Sequence, residues 1–321
     1  MLIEFEPNFV EHAVFEAARR HPKIEADLHR AIDPVYDLED EASRNKQFRS
    51  VYLSYFQRLR LDRVVSQLVA ERSLIARSVR QCMVREARSR KSEGAELYVR
   101  NREDECTDEP NEDRLRTIVV QIFPDSLVNR RRALITKLRH ELLQIADMLD
   151  DRFGYEKQSL LGRLPRENLV RDRYRVLWDA YTDGRLMKEG LQDETARADS
   201  GIRFARVFPM APRPIIDAAV TRVIDASGLT HERLLEWANS PEQLFGRHSM
   251  SPARDEPAPG EPCPVCGCAT HDWCDLKETD HGAIGAVRRD FPQWQPSKGI
   301  CRQCADIYAA IDASKGAGFA T

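Results

Sequence analysis

The sequence predicts an α+β protein, mainly helical with a small sheet, joined to a small cysteine-rich module. Three observations predict this. Several stretches repeat their apolar residues at intervals of three and four. Three short β-branched or aromatic runs lie together between residues 73 and 123. Six of the eight cysteines fall between Cys263 and Cys304.

The first element is "FVEHAVFEAARR", whose apolar spacing is helical. A longer charged helix is expected from Asp40 to Arg72, with Val51, Tyr55, Leu59 and Leu68 among its apolar positions. Residues 1–72 therefore read as a helical N-terminal region. The texture then changes. "SLIARSVRQCMVREARSRK", "AELYV" and "RLRTIVVQIF" read as three strands. The acidic connector "REDECTDEPNED" reads as a solvated loop, and Cys106 within it as a free thiol.

Pro124, Asp125 and Ser126 then supply helix-start signals for one long helix ending near Phe153. "GYEKQSLLGRLPREN" is a loop. "VRDRYRVLWDAYTDGRL" is the next helix, with Gly184 expected near its end. "PIIDAAVTRVIDA" and "HERLLEWANS" continue the helical part, Thr230 serving as an N-cap. Residues 73–245 are read as one core with its following helices. Residues 246–262, rich in proline and small polar residues, are a linker. Residues 263–321 form the cysteine module.

Composition bounds the function. The chain has 321 residues, 42% of them hydrophobic and 31% charged, with a net charge of −3. Global charge gives no support to nucleic-acid or anionic-lipid binding. No apolar run approaches the roughly 20 residues that span a bilayer. The opening "MLIEFEPNFVEH" is acidic where a signal peptide needs a basic and then an apolar region. The expectation is a cytoplasmic protein in a reducing compartment, with no membrane association. There, paired Cys-x-x-Cys turns point to metal more than to disulfides.

"CPVC" and "CRQC" place Cys263, Cys266, Cys301 and Cys304 in two such turns. Each turn bends two thiolates towards one ion, and four thiolates complete a tetrahedral structural Zn²⁺ site. The segment resembles zinc-ribbon modules, over the cysteine module alone, and this names no partner. Between the turns, "CATHDWC" adds Cys268, His271 and Cys274, and His281 follows. They form either a second zinc site or a set of surface groups. From Gly260 to Thr321 there are six Lys or Arg against eight Asp or Glu. Phosphate binding needs a positive surface, so a protein-contact or purely structural role is favoured over nucleic acid. Trp273 and Trp294 read as small-domain core.

The stretch "LRHELLQIADMLDDRF" carries the remaining candidate. Leu138, Leu142, Ile145 and Leu149 share one stripe of a helix, and His140, Gln144, Asp147 and Asp151 lie nearly opposite. By itself this is an amphipathic helix with a wet polar face. Its place after strands and before the helix holding Asp179 and Asp183 resembles the zincin metallopeptidases, in which a His-Glu-x-x-His helix follows a few strands. The resemblance implies His140 as a metal ligand and Glu141 as general base acting on a metal-bound water. Position 144, where a second imidazole belongs, is Gln, and an amide oxygen is a poor zinc donor. Three readings follow: a catalytically degenerate core, an active metallopeptidase using Glu141, or an oxygen-rich Mg²⁺ or Mn²⁺ site of His140, Asp147 and Asp179 or Asp183. No phosphate-binding Gly-rich loop and no nucleophile elbow occur. The functional expectation is a zinc-binding, metallopeptidase-like but degenerate protein that contacts other proteins.

Overall fold

A computed structural model of the protein describes residues 1–100, 115–156, 165–209, 211–246, 257, 260–274, 276 and 281–316. Contacts divide the chain into two units, Met1–Asp151 and Arg152–Thr321. The fold is α+β, with helices dominating the described residues.

In the first unit the order is β1 (Leu2–Phe5), α1 (Pro7–Ala18), α2 (Pro22–Tyr36), α3 (Glu41–Arg58), α4 (Arg63–Ala70) and α5 (Ser73–Ser78). Then come β2 (Gln81–Glu86), β3 (Gly94–Arg100), β4 (Leu115–Ile122), α6 (Pro124–Asn129) and α7 (Arg131–Leu149). The sheet order is β1-β2-β4-β3. β1, β2 and β4 run parallel, and β3 is antiparallel to β4. Register pairs Cys82 with Ile118 and Val84 with Val120, and all four side chains are buried. That period of two gives the sheet one dry face.

Several expected elements are redrawn. β1 was hidden in the N-terminal region because "LIEF" is only four residues long. It pairs Ile3 with Cys82, so the boundary expected at residue 72 falls inside this unit. The expected helix from Asp40 to Arg72 breaks after Arg58. Arg60 takes a positive φ of 57°. Leu61 N–H bonds to the Phe56 carbonyl and Arg60 N–H to the Gln57 carbonyl, closing the helix with a Schellman motif. Buried Leu61 anchors that turn. The first run expected as a strand begins instead with α5, whose buried Ile75 faces the core. The long helix is two, separated at Arg130. The acidic connector, Cys106 included, lies outside the described residues.

The leucine stripe of α7 is buried as expected: Leu138, Leu142, Ile145 and Leu149 all join the core of this unit. Each such side chain contributes about 2 kcal/mol of burial. Its opposite face departs from expectation. Asp147 is 5% exposed, and His140 and Gln144 are half-buried. Of the four residues on that face, only Asp151, just past the end of the helix, is exposed.

The second unit contains α8 (Pro165–Lys188), α9 (Thr195–Val207), α10 (Arg213–Ile224), α11 (His231–Asn239), α12 (Pro241–Phe245), α13 (His281–Asp290) and α14 (Arg302–Gly316). Thr230 caps α11 as expected, its side chain accepting from Arg233 N–H. Gly184 lies near the end of α8, as expected, and it has a packing role there. A Cβ there would lie 2.1 Å from the Ile224 carbonyl oxygen, so the glycine lets the backbones of α8 and α10 meet. The expected loop after Tyr155 and the linker lie largely outside the described residues.

Candidate metal centre

The first cysteine pair sits in a tight turn. Gly267 N–H donates to the Cys263 carbonyl at 2.7 Å, and Cys263 N–H to the Cys268 carbonyl at 2.8 Å. Gly267 has φ 77°, which an L side chain rarely adopts. The second pair opens a helix: Cys301 precedes α14 and Cys304 lies in its first turn. Two isolated β-bridges occur here among the described residues: Pro262 to Ala269 closes the first turn, and Trp273 to Cys301 brings the intervening chain alongside. Secondary structure around the pairs is chiefly helical, from α13 and α14.

The four cysteines come together as their spacing predicts. Their sulfurs all lie within 4.8 Å of one another. The Cys266 and Cys301 sulfurs are 3.9 Å apart. A disulfide needs about 2.05 Å, so these are separate thiols. Zinc–sulfur bonds of about 2.3 Å in a tetrahedron put neighbouring sulfurs about 3.8 Å apart. The donor set therefore fits a metal ion such as zinc.

The four thiols are coupled through hydrogen bonds between their sulfurs. The Cys263 thiol is pushed down because Cys266, and then Cys301 and Cys304, donate to its sulfur. Cys304 is pushed up because it keeps its proton to bond with Cys263, Cys266 and Cys301. The sulfurs share protons where a divalent cation would replace them. Cys301 N–H points at the Cys263 sulfur and Cys304 N–H at the Cys301 sulfur, each at 3.4 Å. These amides and the N-terminal dipole of α14 offset the charge of four thiolates. Cys263, Cys301 and Cys304 are buried in a small core with Val265, Ala286, Val287, Trp294 and Tyr308. Trp294 is thus core, as expected, with its indole N–H on the Gly299 carbonyl.

Among the described residues, the tetrad is the one group of three or more His, Cys, Asp or Glu that brings its ligand atoms together. Cys268 and His271 are exposed and Cys274 is half-buried. His281 begins α13.

On α7, Glu141 does not face open space. Its carboxylate accepts Ala95 N–H at 2.5 Å. One turn earlier, Lys137 donates to the Glu93 carbonyl at 2.6 Å. The two side chains, four residues apart, hold the start of β3. Gly94 makes room: a Cβ there would stand 2.7 Å from a Glu141 oxygen. Burial raises the Glu141 carboxyl above its ordinary range, with the Ala95 bond opposing. His140, Gln144 and Asp147 each have a partner.

In the second unit, Asp179 is half-buried and has a partner. Asp183 is buried, and its carboxylate accepts from Arg203 at 2.7 Å and from Gln192 at 3.1 Å. Such an ion pair is a structural use of the carboxylate.

Sequence reasoning treated His231 as a residue beside a helix cap. It is 4% exposed and shares a 2.7 Å hydrogen bond between Nδ1 and the Tyr174 hydroxyl. Phe153, Tyr155 and Tyr174 pack around its ring. Only the apolar, aromatic character of those positions hinted at the cluster.

No protein-family model, curated protein or solved structure matches the chain.

Proposed function

We propose that this protein is stapled by one structural Zn²⁺ on Cys263, Cys266, Cys301 and Cys304, carries a zincin-like core that does not hydrolyse peptides, and acts by contacting other proteins. The observation that carries the reading is the sulfur tetrad, whose 3.9 Å spacing suits a tetrahedral thiolate site. When bound, zinc supplies a cross-link between two distant chain segments, worth on the order of 10 kcal/mol in small zinc modules.

Two features support a silent core. Gln144 stands where the second imidazole of the resemblance belongs. The carboxylate of Glu141 is engaged by the β3 backbone. A protein contact is preferred to nucleic acid because acids outnumber bases in the cysteine module. No described helix is long and apolar enough to cross a membrane.

Incubation of the zinc-loaded protein and Glu141→Gln with unfolded casein tests the reading. The expected result is no cleavage by either. Cleavage by the wild type that Glu141→Gln abolishes would make it an active hydrolase. A salt-dependent mobility shift with DNA or RNA would instead support a nucleic-acid role.

A further inference from the structure

In the first unit, the end of β1 and the first turns of α1 face the end of α2 and the middle of α3 across a cavity of about 540 Å³. That volume lies in the range of small-ligand sites, about 300–1,000 Å³. Phe5, Tyr36, Phe48 and Tyr52 contribute aromatic rings to its walls. Tyr36 packs edge-on against Phe48, with centroids 5.1 Å apart, and is still 66% exposed. An aromatic wall left in water is a surface available to a ligand.

The polar groups carry opposite signs. Glu11, on α1, lines the cavity with Tyr52, and burial followed by the Glu11 charge pushes the Tyr52 phenol up to about 12. Arg49, on α3, also lines the cavity. It has no hydrogen-bond or ion-pair partner among the described residues, and neither do the amides of Asn8 and Asn45. A carboxylate and a guanidinium thus border one aromatic concavity without pairing with each other.

We propose that this cavity binds a short zwitterionic peptide, its ammonium held by the aromatic rings and Glu11 and its carboxylate by Arg49. Ammonium groups are attracted to aromatic faces. Guanidinium and carboxylate form paired, charge-assisted hydrogen bonds. Asn8 and Asn45 offer both donors and acceptors to the peptide group between. The site is independent of the metal centre.

Titration calorimetry on the full-length, zinc-loaded protein tests this with Leu-Leu, N-acetyl-Leu-Leu and Leu-Leu-amide. Leu-Leu binds saturably, and loss of either terminal charge weakens it at least about tenfold. Glu11→Gln weakens Leu-Leu but leaves N-acetyl-Leu-Leu unchanged. Arg49→Gln weakens Leu-Leu but leaves the amide unchanged. Both side chains are exposed, so both variants keep the wild-type melting temperature. No saturable binding of Leu-Leu up to about 10 mM, or binding indifferent to both substitutions, would overturn the proposal.

Discussion

Glu141 of α7 holds the backbone N–H of Ala95, the second residue of β3, at 2.5 Å. A half-buried carboxylate thereby fixes the edge of the sheet to the helix packed against it. Its pH behaviour has a definite sign. The folded carboxyl is raised above its ordinary value of 4.5. Its contribution is fully present below that pH and is lost as pH rises through the folded value. Gln keeps an acceptor for Ala95 and does not titrate. Urea unfolding should therefore show the wild type losing stability relative to Glu141→Gln as pH rises from 4.5. Glu141→Ala, which leaves the Ala95 amide unpaired, should cost about 1–3 kcal/mol at neutral pH. A stability gap between wild type and Glu141→Gln that stays constant, or moves in the wild type's favour, from pH 4.5 to pH 7 would contradict this account.

His231 predicts the opposite slope. Burial holds its imidazole below the ordinary value of 6.5, with Glu156 opposing. Below that pH the unfolded chain takes up a proton that the folded ring resists, so stability falls as pH falls. His231→Gln removes this dependence and loses the Tyr174 bond, costing about 1–3 kcal/mol at pH 8. The stability gap between the two proteins should narrow from pH 8 to pH 5. Comparing the pair cancels the pH dependence of metal binding, and a constant gap would refute the assignment.

Two glycines separate close packing from open space. Gly184→Ala drives a methyl into the Ile224 carbonyl and should destabilise by about 1–3 kcal/mol or more. Gly285→Ala, in α13 with nothing within 4 Å of the added carbon, should stabilise by about 0.5–1 kcal/mol. Thermal denaturation distinguishes them by sign.

The isolated thiols should differ in reactivity. Burial pushes Cys82 up to about 12, and the thiolate is the reactive form. Cys268 is exposed. Brief treatment of the folded protein with iodoacetamide, mapped by peptide mass, should label Cys268 and spare Cys82.

The cysteine tetrad was the most legible part of the sequence, because x-x spacing within a Cys pair sets the local turn almost independently of tertiary structure. The apolar stripe of α7 was legible for a similar local reason. What escaped depended on distant partners. β1 is recognisable only through β2, whose paired residues come 79 positions later. The break at Arg60 needs Leu61 to find its core, and the packing role of Gly184 needs Ile224. Periodicity places His140, Gln144 and Asp147 on one face of α7 and cannot say what covers them. Glu141 illustrates the limit for chemistry. A catalytic motif assigns it a water, whereas the fold brings it the N–H of Ala95.

The central claim is a single zinc ion held by the sulfur tetrad, with no metal on the α7 helix. Elemental analysis of the purified full-length wild type, Cys301→Ser and His140→Ala tests it most directly. The account predicts one equivalent of zinc in the wild type and in His140→Ala, and loss of zinc from Cys301→Ser. Zinc retained by Cys301→Ser, or metal lost from His140→Ala, would contradict it.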